Sequence, residues 1–412
     1  MHSFGLLFLV FFALSLTIKL WLAYRHIRHI QAHRAQVPQA FDATISLDDH
    51  QKAADYTSSK VRFGRWPMLY DAALLLIWTF GGGLELLDQS WRGMELAPVY
   101  TGIAVILSMM LIGSILDLPF SLYSTFVIEE KFGFNRTTAK TFITDLFKGL
   151  LLTLAIGTPL IWVVLWLMEQ AGELWWVYTW LVWTGFSLFL AWAYPTWIAP
   201  IFNKFNPLEE GETLQRINQL LQRCGFNSNG IFVIDGSRRS SHGNAYFSGF
   251  GKNKRIVFFD TLLESLNDDE LEAVLAHELG HFKRKHILKS MALSFTLSLL
   301  GLWLLSWLMQ NDWFYQALGV STSSTYMALL LFALVVPVFT FSLSPIFSIL
   351  SRKNEFEADA FAAEQTDAKN LIQALVNMYK ENASTLTPDP LYSAFYDSHP
   401  PAPVRIAHLA RL

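Results

Sequence analysis

The sequence predicts a mainly α-helical, polytopic membrane protein with seven transmembrane helices and a small α+β domain on the cytoplasmic side. Three observations support this fold class. Of the 412 residues, 52% are hydrophobic and only 16% are charged, whereas soluble proteins carry about a quarter charged residues. Aromatic residues reach 15%, and many of the tryptophans stand at the ends of apolar runs, where amphipathic rings meet lipid headgroups. Apolar runs of membrane-spanning length recur along the chain.

Seven apolar runs are long enough to cross a bilayer, whose hydrocarbon core of about 30 Å needs about 20 helical residues. They are residues 4–23, 68–88, 98–122, 147–168, 174–198, 287–309 and 325–349. The first run is long, is followed by arginines and has no clean small-residue cleavage site after it. We therefore interpret it as a retained span rather than a secretory signal.

Lysine and arginine residues predict the orientation, because loops rich in them stay in the cytoplasm. Residues 24–66 contain seven of them and residues 123–146 contain three, whereas the short loops of the opposite side contain only Arg92. With seven spans, this distribution places the amino terminus outside. The two long polar segments, residues 199–286 and 350–412, are then cytoplasmic.

The predicted domain organisation follows from these spans. Residues 1–198 hold spans one to five with their cytoplasmic loops, and residues 287–349 hold spans six and seven. Residues 199–286 and 350–412 form the two parts of one cytoplasmic domain. Short strands are predicted where aromatic and β-branched residues lie between Gly and Asn, at 230–235, 244–249 and 255–260. Residues 350–412 are predicted to be helical as far as Pro388 and loop thereafter.

The composition also excludes several kinds of site and partner. A net charge of −3 gives no basis for nucleic-acid binding. The single cysteine, Cys224, cannot form an internal disulfide and cannot build a Cys-based zinc site. Any metal must therefore be bound by histidines and carboxylates.

Residues 268–281, DDELEAVLAHELGH, carry the strongest motif. Asn267 or Asp268 can cap a helix there, and acidic residues in its first turn suit the helix dipole. On this helix His277 and His281 are four residues apart and share one face, so both imidazoles can bind one zinc ion, with Glu278 beside a zinc-bound water. The alternative is a surface helix with two ordinary histidines.

Catalytic zinc needs a third protein ligand and one open position. His286 comes one position too early for the third histidine of the metzincins, and the Gly they require is absent. In residues 351–362, SRKNEFEADAFA, Glu355 and Asp359 share a helical face while Glu357 points elsewhere. Glu355 is the predicted ligand, and Asp359 is predicted to accept the free N–H of a zinc-bound histidine. Taken alone, this segment could be a solvated acidic face.

Three segments together resemble the type I integral-membrane CAAX prenyl proteases, and the chain looks like a bacterial-type member. They are HELGH followed by two spans and SR-x-x-EFxADAFA, SHGNAYFSGFGKNKRIVFFDTLL at 241–263, and SHPPAPVRI at 398–406. The resemblance covers most of the chain and is most specific between residues 241 and 412. It implies a barrel of seven helices around a large intramembrane chamber, closed at its cytoplasmic end by an α+β HExxH zinc-peptidase domain.

The resemblance also implies roles for individual residues. One Zn²⁺ ion is expected on His277, His281 and Glu355, where it activates the scissile carbonyl and a water molecule. Glu278 is expected to act as the general base and then as the proton donor to the leaving amine. His399 and Arg405 are expected to face the developing oxyanion. Without the resemblance, His399 is a loop residue beside two prolines and Arg405 is a helix-surface charge.

The substrate strand is a further expectation from the resemblance. Asn244, Ala245, Tyr246 and Phe247 are expected to form an edge strand that pairs with an extended peptide through main-chain hydrogen bonds. From the residues alone, the same segment is a core strand in a hairpin.

Four charged residues lie within or near the spans. Lys19, Asp71 and Glu85 are close enough to span ends to snorkel. Asp117 lies deeper and is expected, if it has a role, to face a wet interior.

The predicted function is zinc-dependent hydrolysis of peptide bonds near the carboxyl terminus of CAAX-type or other membrane-associated proteins, which can be prenylated. The expected partners are a peptide or protein substrate and the lipid bilayer, and the expected location is a bacterial inner membrane or a membrane like the endoplasmic reticulum. One alternative is an HtpX-like quality-control protease, although those chains have fewer spans. Site-2-type proteases are disfavoured because Lys283, Arg284 and Lys285 follow the motif directly. A non-catalytic, zinc-containing membrane scaffold is disfavoured because it would not need Glu278. A transporter is disfavoured because it should show repeats or paired broken helices, and the sequence indicates neither.

Overall fold

The computed structural model describes residues 2–226, 228–248 and 254–412. Within them, the amino-terminal half is built from eight helices connected by short loops or π-helical turns. These are α1 (Ser3–Ala32), α2 (Leu47–Trp78), α3 (Gly83–Arg92), α4 (Pro98–Tyr123), α5 (Ala139–Leu152), α6 (Thr158–Gln170), α7 (Trp175–Ala193) and α8 (Ala199–Phe202). π-helical turns continue α4 through Glu129, join α5 to α6 and join α7 to α8, so each of these stretches is one long rod.

The predicted spans are confirmed. Six continuous helical stretches of the described chain are long and apolar enough to cross a membrane, and α2 with α3 makes a seventh if this pair, bent by 52°, is one span. The bend lies at Gly81–Gly83, where Gly82 has a φ of +74°. A β-carbon on Gly81 would lie only 2.8 Å from the Ile77 backbone, so a larger residue would oppose the bend. Six of the seven apolar runs fall within these stretches, and the run 287–309 extends one residue beyond its helix, which ends at Leu308.

Few residues of the spans are buried within the protein. In the most apolar window of the stretch Ala139–Gln170 only 6% of the residues are buried. A protein in water could not expose so large an apolar surface, so the spans are suited to lipid. The expectation of a barrel with an intramembrane chamber stays a prediction. Asp117 lies exposed on α4, and its role stays a prediction.

A four-stranded sheet belongs to the α+β domain that carries the HELGH motif. Its strands are β1 (Phe205–Pro207), β2 (Ile231–Ile234), β3 (Ala245–Ser248) and β4 (Arg255–Phe259), in the order β1-β2-β4-β3. β2 and β4 are parallel, whereas β1 and β3 pair antiparallel with their neighbours. The three predicted strands are confirmed, although Gly249, at the end of one of them, lies outside the described residues. β1 was not predicted, because its three residues end in Pro207 and show no alternating pattern; a proline fits there because β1 is an edge strand.

Ten further helices complete the described chain. They are α9 (Glu212–Arg223), α10 (Asp260–Ser265), α11 (Asp268–Lys283), α12 (His286–Leu308), α13 (Asp312–Gln316), α14 (Thr325–Thr340), α15 (Ser344–Gln365), α16 (Ala368–Glu381), α17 (Pro390–Tyr396) and α18 (Ala402–Leu409). The expectation of loop after Pro388 is wrong, since α17 and α18 lie there. Asp389 caps α17 by accepting hydrogen bonds from the N–H groups of Leu391 and Tyr392. Pro390 occupies the first turn, where a missing N–H has no cost.

Helix α11, which carries the HELGH motif, is the centre of the domain core. It starts with a capping box in which Asn267 and Glu270 each accept the other's backbone N–H. Its apolar residues pack with those of α9, α10, α15, α16 and the sheet in one buried cluster. On the opposite side Gly280 touches α15: a β-carbon there would lie 2.9 Å from the Ala358 α-carbon. This contact sets the separation of α11 and α15.

Gly280→Ala should therefore disturb the domain although it replaces Gly with a better helix former. The added methyl overlaps backbone, which cannot rotate away, and such overpacking costs about 1–3 kcal/mol. We expect a lower thermal midpoint in detergent and weaker metal retention. Gly64→Ala is the matched control, since Gly64 lies in α2 with no atom within 4 Å of its added methyl. Equal thermal midpoints for the two variants would show that the α11–α15 contact does not limit the stability of the domain.

Candidate metal centre

Helices α11 and α15 bring three predicted ligands to one point. The Nε2 atoms of His277 and His281 are 3.2 Å apart. The Glu355 carboxylate lies 3.5 Å from His277 Nε2 through Oε2 and 3.2 Å from His281 Nε2 through Oε1. A tetrahedral zinc site with bonds of about 2.0–2.1 Å places neighbouring ligand atoms about 3.3 Å apart. The triangle of donor atoms therefore has the size that one such ion requires.

The environment of Glu355 provides a second test of fit. Its Oε2 atom is buried and, among the described residues, accepts no hydrogen bond. His399 Nδ1 approaches it to 2.7 Å, but without hydrogen-bond alignment. A buried carboxylate oxygen normally has a donor, and a metal ion satisfies it equally well. Two imidazole nitrogens and one carboxylate form a donor set typical of transition metals, so the residues present fit a metal ion.

Asp359 supports His277 from behind. Its Oδ1 atom lies 2.8 Å from His277 Nδ1, in the position predicted for the acceptor of the free imidazole N–H. The carboxylate is fully buried. Burial by itself lowers the pKa of His277, but its pairing with the carboxylates of Asp359 and Glu355 raises it above its usual value. This contact also leaves Nε2 of His277 as the nitrogen that faces the other ligands.

Arg405 lies in the same buried cluster. Its Nε donates to Asp359 Oδ2 at 3.0 Å, and its Nη1 lies 3.9 Å from Glu355. Burial alone lowers the pKa of the guanidinium, but the pairing with Asp359 raises it, so Arg405 stays charged. The alternative of a helix-surface charge is wrong, because Arg405 is buried. The structure thus places this cation beside the metal ligands.

His399 borders the ligand triangle, and Glu278 directly follows His277 on α11. Glu278 is half-buried on α11, and among the described residues no hydrogen bond or ion pair engages its carboxylate, so it can serve a bound molecule. His399 lies in the loop between α17 and α18, with its side chain 63% exposed. Arg352 of α15 holds this loop by donating to the carbonyl oxygens of Ser393 and Asp397.

Two residues beside the site, His286 and Glu357, were not predicted from the sequence to contribute to it. His286 Nδ1 lies 3.0 Å from His281 Nδ1, and His286 Nε2 lies 3.1 Å from Glu357 Oε2. From the sequence, His286 is a candidate only for a third ligand, and the prediction that Glu357 points away from Glu355 is confirmed. A histidine five residues after the motif was the available signal, but its direction depends on a turn that the sequence alone did not predict.

Strand β3 lies at the edge of the sheet. Ala245, Tyr246 and Phe247 belong to the strand, and Asn244 precedes it as an exposed residue. β3 pairs with β4 on one side only, so its other edge is free within the described sheet. Its entry is anchored by the Asn382 side chain, which accepts the Gly243 N–H at 3.0 Å. The geometry is that of an edge strand.

A cavity of about 610 Å³ connects the entry of β3 with the loop of His399. Its wall includes His242, which directly precedes the strand entry, and Asp397, two residues before His399. Tyr56 of α2 donates to Glu129 at 2.8 Å and lies 3.2 Å from His242. A volume of this size is typical of ligand pockets, about 300–1,000 Å³.

The chain is similar to two protein families over almost its whole length. Residues 26–204 match the family described as CAAX prenyl protease N-terminal, five membrane helices. Residues 207–412 match peptidase family M48.

Individual relatives agree with these family matches. The CAAX prenyl protease 1 homolog of rice (Oryza sativa) is 36% identical, with 92% of each chain covered. The CAAX prenyl protease 1 homolog of Homo sapiens is 34% identical, with 96% of this chain and 93% of that protein covered. The crystal structure of S. mikatae Ste24p matches with a TM-score of 0.91 and 32% identity, over 99% of both chains.

The buried pair of Asp359 and Arg405 should be essential for the centre. Asp359→Asn removes the closest counter-ion of the buried Arg405 charge, and breaking a buried ion pair costs about 3–5 kcal/mol. It also removes the carboxylate behind His277, so metal affinity should fall about 10–100-fold. Thermal unfolding and competition with a zinc chelator measure the two effects.

Asp55→Asn is the matched control, because Asp55 pairs with Arg34 in an exposed ion pair. Such pairs contribute little, so both measurements should stay unchanged. If the two variants behaved alike, Asp359 would have no special role in the centre.

Proposed function

The chain belongs to peptidase family M48 and to the CAAX prenyl proteases within it, and we propose that this membrane-embedded metallopeptidase uses one zinc ion to cleave peptide bonds near the carboxyl terminus of membrane-associated proteins. The observation that carries the proposal is the triangle of donor atoms from His277, His281 and Glu355, with Glu278, the residue after His277 on the same helix, as a carboxylate that has no partner among the described residues. A purely structural metal site would not need that carboxylate.

The proposed ligands are His277, His281 and Glu355, which leave one position open in a four-coordinate site. Zinc, when bound, supplies Lewis-acid activation of a carbonyl group and of water near neutral pH. Asp359 accepts the Nδ1–H of His277 and so directs Nε2 of the ring towards the ligand position. The cluster is therefore organised by side chains of this chain before any substrate binds.

Glu278 is proposed as the general base and acid. It takes the proton of the attacking water and returns it to the leaving amine, a role that contributes about 10²–10⁴-fold to the rate. His399 and Arg405 are proposed to stabilise the negative charge that develops on the scissile carbonyl oxygen. Their support is position: His399 stands 2.7 Å from Glu355, and Arg405 is a permanent cation 3.9 Å from the same carboxylate.

The peptide is proposed to bind as an additional strand on β3, through the main chain of Asn244, Ala245, Tyr246 and Phe247. The free edge of β3 supports this, because edge strands offer unpaired N–H and C=O groups to an extended peptide. The cavity between His242 and Asp397 has room for the part of the substrate that extends beyond the strand.

The proposed substrates are proteins with a carboxyl-terminal CAAX sequence, including prenylated ones, that reach the enzyme from the membrane. Support comes from the names of the relatives, which are CAAX prenyl proteases. The proposed orientation has the amino terminus outside and the metal centre on the cytoplasmic side of a bacterial inner membrane or a membrane like the endoplasmic reticulum.

Purified protein in detergent should release the last three residues of a farnesylated CAAX peptide, and a zinc chelator should stop the reaction. Glu278→Gln should still bind zinc but lose turnover by at least about 10²-fold, because the amide cannot accept the proton. Mass spectrometry of the products and the metal content of the protein are the two measurements.

The same assay includes an unprenylated twin peptide and an unfolded membrane protein. Cleavage of the unfolded protein alone would replace the CAAX substrate with a quality-control function. Undiminished turnover by Glu278→Gln would refute its role as the base. A zinc-loaded protein that cleaves nothing would favour a non-catalytic scaffold.

Labelling of the single cysteine tests the proposed orientation of the protein in the membrane. Cys224 lies at the end of α9 and is half-buried, so a membrane-impermeant maleimide can reach it from the cytoplasmic side. In sealed vesicles with their cytoplasmic face outermost, Cys224 should be labelled without detergent. A Ser323→Cys, Cys224→Ser protein should be labelled only after detergent, since residue 323 is in an exposed loop on the opposite side. The reverse pattern would invert the proposed topology.

A further inference from the structure

The second zinc ligand of α11 has a support that differs from that of the first. His277 contacts the buried carboxylate of Asp359 directly, whereas His281 contacts another imidazole. The Nδ1 atoms of His281 and His286 are 3.0 Å apart, and Nε2 of His286 lies 3.1 Å from Glu357. His286 is buried, with 3% of its surface exposed, and buried polar side chains are normally hydrogen-bonded.

The backbone places His286 there by a tight turn. Helix α11 ends at Lys283 and α12 begins at His286, and between them Lys285 has a φ of +59°. This left-handed residue reverses the chain, so the first side chain of α12 points back to the last turn of α11. Glu357 reaches the same ring from α15, two residues after the ligand Glu355 and therefore from a different direction along the helix.

Only one arrangement of protons satisfies all these atoms once His281 binds a metal ion through Nε2. The remaining ring nitrogen of His281, Nδ1, then carries a hydrogen and donates it. Nδ1 of His286 must accept that hydrogen, so the proton of the neutral His286 ring lies on Nε2. That N–H donates to the carboxylate of Glu357.

We propose that His286 and Glu357 form a positioning relay that holds His281 in the tautomer and orientation required for metal binding. The inference rests on the metal role proposed for His281. Neither residue touches the metal position; both act through the His281 ring. Such supports commonly change metal affinity or activity 10–100-fold when they are removed.

The relay also links the metal centre to the membrane. His286 is the first residue of α12, a membrane span, and Glu357 lies on the cytoplasmic extension of the last span. The side-chain contacts of this one ring therefore join α11, α12 and α15.

The test measures zinc affinity of the full-length protein in detergent by competition with a chromogenic chelator. His286→Leu removes the acceptor, and we expect zinc affinity to fall 10–100-fold. His286→Asn keeps an acceptor oxygen near His281 and should recover a substantial part of the loss. Glu357→Ala leaves His286 without its acceptor and should lower affinity by a smaller factor. Glu364→Gln, at an exposed position of α15, is the control and should bind zinc like the parent protein.

A second readout separates positioning from general stability. Absorption of the cobalt-substituted protein reports the geometry of the ligands, and it should change in His286→Leu but not in Glu364→Gln. Unchanged zinc affinity in Glu357→Ala, whose carboxylate is partly exposed, would overturn the relay even if the His286 variants failed to fold. Equal losses in His286→Leu and His286→Asn would overturn the assignment of His286 as acceptor. Because zinc binding is measured without a substrate, failure of the relay is distinguishable from failure of the proposed peptidase function.

Discussion

Gly280 of α11 lies against the backbone of Ala358 of α15, and the metal centre depends on this close contact between the two helices. His277 and His281 stand on one helix and Glu355 on the other, so their donor atoms meet only at a short helix separation. Because the sides of this triangle are only 3.2–3.5 Å long, the separation of the two helices can change very little. A side chain at residue 280 would increase that separation. The ligand side chains could not move to restore the triangle, because they are packed against neighbouring residues.

Charge compensation gives a second constraint. Two buried carboxylates, Glu355 and Asp359, face one buried guanidinium, Arg405. The two carboxylates and the guanidinium leave one negative charge that a bound cation or a protonated His277 must balance, because a buried unpaired charge is strongly unfavourable. A divalent cation at the ligand triangle offsets that charge, while Asp359 stays paired with Arg405. Metal binding and folding of this part of the domain are therefore coupled.

The sequence was sufficient for features with a local pattern. The spans follow from continuous hydropathy, and the ligand positions from i, i+4 spacing on two amphipathic helices. Features that depend on contacts between residues far apart in the sequence, or on an irregular turn, were predicted only in part or not at all. Arg405 pairs with Asp359, 46 residues away in the sequence. His286 contacts His281 because Lys285, between their helices, has a left-handed conformation. β1 is too short to show a period. Helix α17 starts at the Asp389 cap and α18 packs against α15 and α16, and neither contact is visible in a short hydrophobic pattern.

Helix continuity also determines how far the metal centre lies from the bilayer. The helical stretch that carries Glu355 runs from Thr325 to Gln365 and includes the last span. Glu355 is six residues beyond residue 349, where the apolar run ends, which corresponds to about 9 Å along a helix. On the other side, α12 enters the membrane directly after the turn that follows α11. Both parts of the centre are thus attached rigidly to spans, so the scissile bond of a substrate must come within about 10 Å of the hydrocarbon boundary. A peptide anchored in the membrane meets this condition with a short tether, whereas a freely soluble protein must unfold its tail to do so.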